Sequence, residues 1–222
     1  DQAVSVADKH AGAPTVDVVR SVDTMGWQQL GSDINGEAAG DQAGVVSLSA
    51  DGRTLAIGAQ NNHPADGDPV WYARPGHVRI YQLNDSDQWV QIGDDIDGAY
   101  GDLAGYSVSL SGHGNVVAIG YPRWGDYGFV RLYENLEGSW QQIGSDIRGE
   151  HLGDTSAQTI SLSSDGTTVA IGSIYNDDAG TNAGHVRVFR QNESDQWVQV
   201  GSDIDGEASN DYSGGYISLS SD

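Results

Sequence analysis

The 222-residue chain has no cysteine, one methionine, two phenylalanines, five prolines and a single lysine, Lys9. Without cysteine there is no disulfide framework, thiolate nucleophile or Cys-ligated zinc. No apolar run approaches the roughly 20 residues that span a bilayer as a helix. Neither an initiator methionine nor a signal-type apolar segment opens the chain, which reads as a soluble mature protein or a fragment of one. Basic residues are scarce: 10 Lys and Arg stand against 32 Asp and Glu, a net charge of −22. Such a surface repels phosphates and anionic headgroups, so neither nucleic acid nor membrane insertion is expected. There is no Gly-x-Ser-x-Gly elbow, His-Glu-x-x-His, P-loop or Rossmann fingerprint. No catalytic residue stands out, and the chain is expected not to be an enzyme. What is plentiful is glycine, 31 residues, which with so little proline indicates many turns rather than a collagenous or disordered chain.

The turns punctuate a repeat. Trp27-Gln28-Gln29-Leu30-Gly31 recurs at Trp89–Gly93, Trp140–Gly144 and Trp197–Gly201, each followed by Asp-Ile. Three further blocks follow in order: Val46-Ser47-Leu48-Ser49, Leu55-Ala56-Ile57-Gly58 and His77-Val78-Arg79-Ile80-Tyr81, with counterparts in later copies. Four short β-prone segments separated by Gly, Asp, Asn and Ser make four strands per repeat. Ala50-Asp51-Gly52-Arg53 and Ser164-Asp165-Gly166-Thr167 each place Asp-Gly between two β runs, as tight hairpins do. No segment shows capped helical periodicity.

Repeats run approximately over 27–88, 89–139, 140–196 and 197–222, the last completed by 1–26, within one domain over 1–222. The C-terminal strand at 217–220 and an N-terminal strand at 3–7 are in register if the ends are joined. The expected fold is therefore all-β: a β-propeller of four-stranded antiparallel blades with four repeats, closed by pairing the terminal strands. A fragment of a larger propeller, or exchange of the last strand between subunits, would satisfy the same phase.

Gly105-Tyr-Ser-Val-Ser-Leu-Ser111, Val117-Ala-Ile-Gly-Tyr-Pro122 and Gly128-Phe-Val-Arg-Leu-Tyr133 together resemble the FG-GAP repeat of integrin-α-type propellers. This variety resembles repeats of secreted or surface proteins of diatoms, other algae and marine bacteria. The resemblance implies an extracellular or cell-surface location, a role in adhesion, and calcium loops. The turns depart from the family's Asp-x-Asp-x-Asp-Gly array, and integrin propellers have seven blades where this chain has four repeats.

Several residues are candidate ligands. Asp95-x-Asp97-Gly98 and Asp203-x-Asp205-Gly206 alternate acids as a Ca²⁺ loop would, while other copies carry Asn35 and Arg148 at the middle position. The competing reading is that these acids accept backbone N–H groups in a recurring loop. Beyond calcium, no cofactor is indicated. Arg79, Arg131 and Arg187 share one repeat position, with Asp17 in the N-terminal copy, and are expected to pair with acids. The loop over 60–76 carries Trp71, Tyr72 and Arg74, and the loop over 121–127 carries Trp124 and Tyr127. Such aromatics stack on sugars, anchor a protein partner, or pack over a sheet edge. Asn84 and Asn192 head N-x-Ser sequons, and the equivalent Asn135 does not.

These features lead to an expectation of a non-enzymatic extracellular structural or adhesive module. It would act by self-assembly or by binding a protein partner. The alternative is a carbohydrate-recognition module using the aromatic loops, and a third reading is a propeller glycoside hydrolase or lyase.

Overall fold

The computed structural model describes residues 26, 28–63 and 74–220. Among these residues the protein is all-β, built from three antiparallel sheets with no helix. The first sheet comprises β1 (Ala43–Leu48), β2 (Thr54–Ala59), β3 (His77–Leu83), β4 (Trp89–Gln91) and the two-residue β5 (Ile96–Asp97). Its order is β1-β2-β3-β4, and β5 pairs with the far end of β3. The second comprises β6 (Ser107–Leu110), β7 (Val116–Tyr121), β8 (Phe129–Leu136) and β9 (Ser139–Arg148), in sequence order. The third repeats the first, with β10 (Thr159–Leu162), β11 (Thr168–Ser173), β12 (His185–Gln191), β13 (Trp197–Gln199) and β14 (Ile204–Asp205). Strand β9 covers in one bulged run what β4 and β5, or β13 and β14, cover in two pieces.

Local chemistry explains the hairpins. Asp51 Oδ1 accepts from Ser49 Oγ at 2.6 Å and from Arg53 N at 3.0 Å, while Ser49 Oγ accepts from Thr54 N. Asp165 repeats the pattern with Ser163 and Thr167. Gly52, Gly114 and Gly166 take φ near +70°, where a Cβ is disfavoured. The sequon asparagines are also turn residues. Asn84 Oδ1 accepts from Ser86 N and Gln88 N, Asn192 Oδ1 does so from Ser194 N and Gln196 N, and Asn135 Oδ1 accepts from Gly138 N. Asn thus recurs at this position for its side-chain carbonyl, whether or not a sequon follows.

The sheets stack face to face. One core lies between the first and second sheets around Val78, Ile80, Leu110 and Ile119. The other lies between the second and third around Leu132, Leu162, Val169 and Ile171. Every residue of β7 is buried. Along β1, by contrast, burial alternates, and Val46 and Leu48 are exposed.

The first strands of successive sheets are tied in series. Leu110 N donates to Ser47 Oγ at 2.9 Å and Leu162 N to Ser109 Oγ at 3.0 Å. Leu219 N continues the series by donating to Ser161 Oγ at 2.9 Å. The segment expected as a strand at 217–220 therefore occupies the place of a next first strand. It has no strand pairing among the described residues. Its expected partner at 3–7, together with Asp17, Trp27, Trp71 and Tyr72, lies outside the described residues.

Candidate functional site

The loops that join the second to the third strand of each sheet, and those that lead into each sheet, meet on one side of the stack. Each inlet is closed by an aspartate that accepts the backbone N–H three residues earlier. Asp41 accepts from Ala38 N, Asp102 from Ala99 N, Asp154 from His151 N and Asp211 from Ala208 N, at 2.7–3.1 Å. The residue after each Asp (Gln42, Leu103, Thr155, Tyr212) has φ between +44° and +55°. The acids at these four positions thus each serve the backbone of their own loop. Asn62 and Asn176 clasp Asp41 and Asp154 from their own sheets. In the middle sheet Arg123 does this for Asp102, with Nε 3.3 Å from its carboxylate. Burial pushes the Asp102 carboxyl up, opposed by the Ala99 N–H and the Arg123 guanidinium.

Across these loops runs a row of rings. Tyr106 lies 6.3 Å from Trp124, Trp124 6.2 Å from Tyr175, and Tyr175 6.1 Å from Tyr212, measured between centroids. Interplanar angles of 77°, 54° and 87° set each ring edge-on or tilted to the next, an arrangement favoured by the ring quadrupole. Trp124 separates two clefts. One, of about 280 Å³, is shared with Tyr106, Gln42 and Gln60. The other, of about 550 Å³, is bounded by Trp124, Tyr175, His151, Asp177, Asp178 and Asn182. His151 is exposed, with Nδ1 3.8 Å from Asp178 Oδ1 and 3.9 Å from Asp154 Oδ2.

The expected ligand residues are placed unevenly. Trp124 is the centre of the ring row. Tyr127 is exposed, and its carbonyl accepts from Ser156 N. Arg74 is half-buried, with Nη1 3.5 Å from the carbonyls of Gly40 and Asn61. Tyr175, Tyr106 and Tyr212 were not singled out by sequence, because each aligns with a non-aromatic residue in other copies. Their proximity to Trp124 arises only from stacking of the sheets.

A second group of polar residues surrounds the start of β3 and of β12. Asp95 Oδ2 lies 3.6 Å from His77 Nδ1 and Glu37 Oε2 3.8 Å from it. Asp203 and Glu150 stand likewise at 3.7 and 3.8 Å from His185 Nδ1. Asp97 and Asp205 pair with the two histidines in strand register but are not members of these groups. Burial, then the neighbouring Asp95 charge, pushes the Asp97 carboxyl up, with His77 opposing. The repeat-position arginines pair with acids as expected. Arg131 grips Asp146 with Nε and Nη2 at 2.7 and 2.9 Å, Arg187 reaches Glu150 at 3.4 Å, and Arg79 reaches Glu37 at 3.8 Å.

No family model and no curated protein matches the chain. Among solved structures, it is similar to a protein provisionally named a 6-phosphogluconolactonase from Bacteroides uniformis, at 16% identity and TM-score 0.48, over 73% of this chain and 40% of that one. A protein of the same provisional name from Bacteroides fragilis aligns at 15% identity and TM-score 0.47, over 72% and 40%. The periplasmic gluconolactonase of Pseudomonas aeruginosa aligns at 14% identity and TM-score 0.34, over 72% and 56%. The chain spans about two fifths of the length of the first two. Proteins named for an enzymatic activity thus appear among the similar structures. The expectation of a non-enzymatic structural or adhesive module is corrected accordingly. At these scores no activity passes from them to this chain.

Proposed function

We propose that this chain is a propeller-type ligand-binding domain whose loop face takes a polyhydroxylated molecule of the saccharide class, centred on Trp124. The observation that carries this reading is the ring row bordered by an acidic cleft. Sugar rings present C–H faces that pack on aromatic side chains, and hydroxyl edges that need acceptors and donors. Trp124 and Tyr175 offer the first. Asp178, Asn182 and His151 offer the second on the same cleft wall. A row of rings about 6 Å apart, drawn from three successive repeats, suits a ligand of more than one sugar unit.

Trp124 and Tyr175 sit on loops, so their truncation should leave the sheets intact. In glycan-array screening followed by calorimetry, Trp124→Ala and Tyr175→Ala are expected to weaken binding on the order of tenfold each. Absence of any glycan ligand for the unmodified protein, or binding indifferent to Trp124→Ala, would overturn the reading.

A further inference from the structure

We infer that Glu150, His185 and Asp203, and in a second copy Glu37, His77 and Asp95, each form a binding site for a divalent transition-metal ion such as Zn²⁺. The sites are separate from the ring row and do not depend on it.

The first ground is the histidine. His185 is fully buried, and neither of its ring nitrogens has a hydrogen-bond partner. A buried imidazole without a partner is costly, so its surroundings need explaining. Nδ1 is aimed between two carboxylates at 3.7 and 3.8 Å, too far for a hydrogen bond to either. Two ligand atoms on a tetrahedral zinc stand about 3.3 Å apart, so each carboxylate oxygen would close on Nδ1 by roughly half an ångström, and the two oxygens would draw together as far as the ion requires. The three ligand atoms of each copy lie within 4.8 Å of one another. Glu150 and Asp203 keep partial exposure, leaving room for water at a fourth position.

The second ground is how the carboxylates are held. Arg187 Nη1 takes Glu150 Oε1, and it is Oε2 that faces the histidine. Gln199 Nε2 donates to Asp203 Oδ1 at 2.5 Å, and it is Oδ2 that faces the histidine. At the other site Arg79 takes Glu37 Oε1, Gln91 takes Asp95 Oδ1 at 2.6 Å, and again the second oxygens point at His77. One oxygen anchored and the other presented is the outer-shell arrangement that orients metal ligands.

The third ground is the middle sheet, which acts as an internal control. There Phe129 replaces the histidine, and the inlet loop is one residue shorter, with Ala99 following Gly98 where Glu37 follows Gly36 and Glu150 follows Gly149. Asp146, though still held by Gln142, is taken by the Arg131 fork. Glu and His are present together in two copies and absent together in the third. An imidazole nitrogen beside two carboxylates suits Zn²⁺ or its first-row neighbours better than Ca²⁺, which favours six to eight oxygens.

The test is calorimetric titration of chelator-stripped protein with Zn²⁺ alone, with Ca²⁺ titrated in parallel. Two ions per chain are expected for the unmodified protein, one for His185→Phe or His77→Phe, and none for the double variant. Phenylalanine is the residue the middle sheet already accommodates. The milder pair Glu37→Gln with Glu150→Gln, on partly exposed side chains, should weaken both sites at least about tenfold, even if the phenylalanine variants fold poorly. Zinc uptake unaltered by the histidine and glutamine variants, a preference for Ca²⁺, or no uptake at all would each overturn the assignment.

Discussion

Asp146 shows how much one substitution between repeats changes. It accepts two hydrogen bonds from the Arg131 guanidinium, which also lies 5.2 Å from the Phe129 ring centroid. That guanidinium holds the Asp146 carboxyl below the usual carboxylate range, outweighing partial burial. A depressed folded-state value means the stabilisation is complete above the unfolded pKa and is lost as pH falls through the folded one. Asp51 and Asp165, lowered first by the serine hydroxyls of their turns, act in the same direction. Urea unfolding should therefore show stability falling as pH drops below about 4. Asp146→Ala should cost about 2 kcal/mol at neutral pH and flatten that acid slope. An unchanged slope would mean that the fork contributes nothing measurable.

The Trp-x-Gln-x-Gly element acquires a physical meaning once the sheets are stacked. The indole N–H of Trp89, Trp140 and Trp197 donates to the carbonyl of Leu30, Ile92 and Ile143, each in the preceding copy, at 3.0–3.2 Å. The glycine that ends each copy takes a φ of +67° to +75° at Gly31, Gly93 and Gly144. A Cβ there would come within 2.7–2.9 Å of the next tryptophan's Cδ1. The glutamine between them holds the following aspartate. One pentapeptide therefore receives the previous sheet, fixes a side chain, and seats the next sheet. Gly144→Ala should combine backbone strain with displacement of Trp197. Gly138→Ala, also at positive φ but facing open space, should show strain alone. Thermal denaturation is expected to place Gly144→Ala lower by the equivalent of about 1–2 kcal/mol. Equal melting temperatures would show that the tryptophan seat is not selective.

At the scale of the molecule, stability is concentrated in the sheet that has neighbours on both faces. Ile119, on β7, is fully buried, whereas Val46, on β1, is 60% exposed. Ile119→Ala should cost about 3–4 kcal/mol, while Val46→Ala should stay within about 0.5. Comparable losses in chemical denaturation would place a further layer against β1.

The four-strand repeat, its hairpins and its all-β character were legible in the sequence, because strand periodicity and turn chemistry act over a few neighbouring residues. Asp51-Gly52 and Asp165-Gly166 needed no tertiary context to be read as turns. The pairing of the repeat-position arginines with acids was also readable, though not their choice of partner. Arg131 takes an aspartate of its own sheet, whereas Arg79 and Arg187 take a glutamate of the inlet loop. The joint presence of Glu37 with His77 and Glu150 with His185 was visible in the aligned copies, but became informative only with the Nδ1–carboxylate distances. Strand alternation and turn propensity are local, so sequence alone settles where strands start, end and reverse. Which side chains converge, as with Tyr106, Trp124, Tyr175 and Tyr212 or with the histidines and their carboxylates, is decided by the packing of one sheet on the next. That packing depends on burial and shape across residues remote in the chain, and only the tertiary structure fixes it.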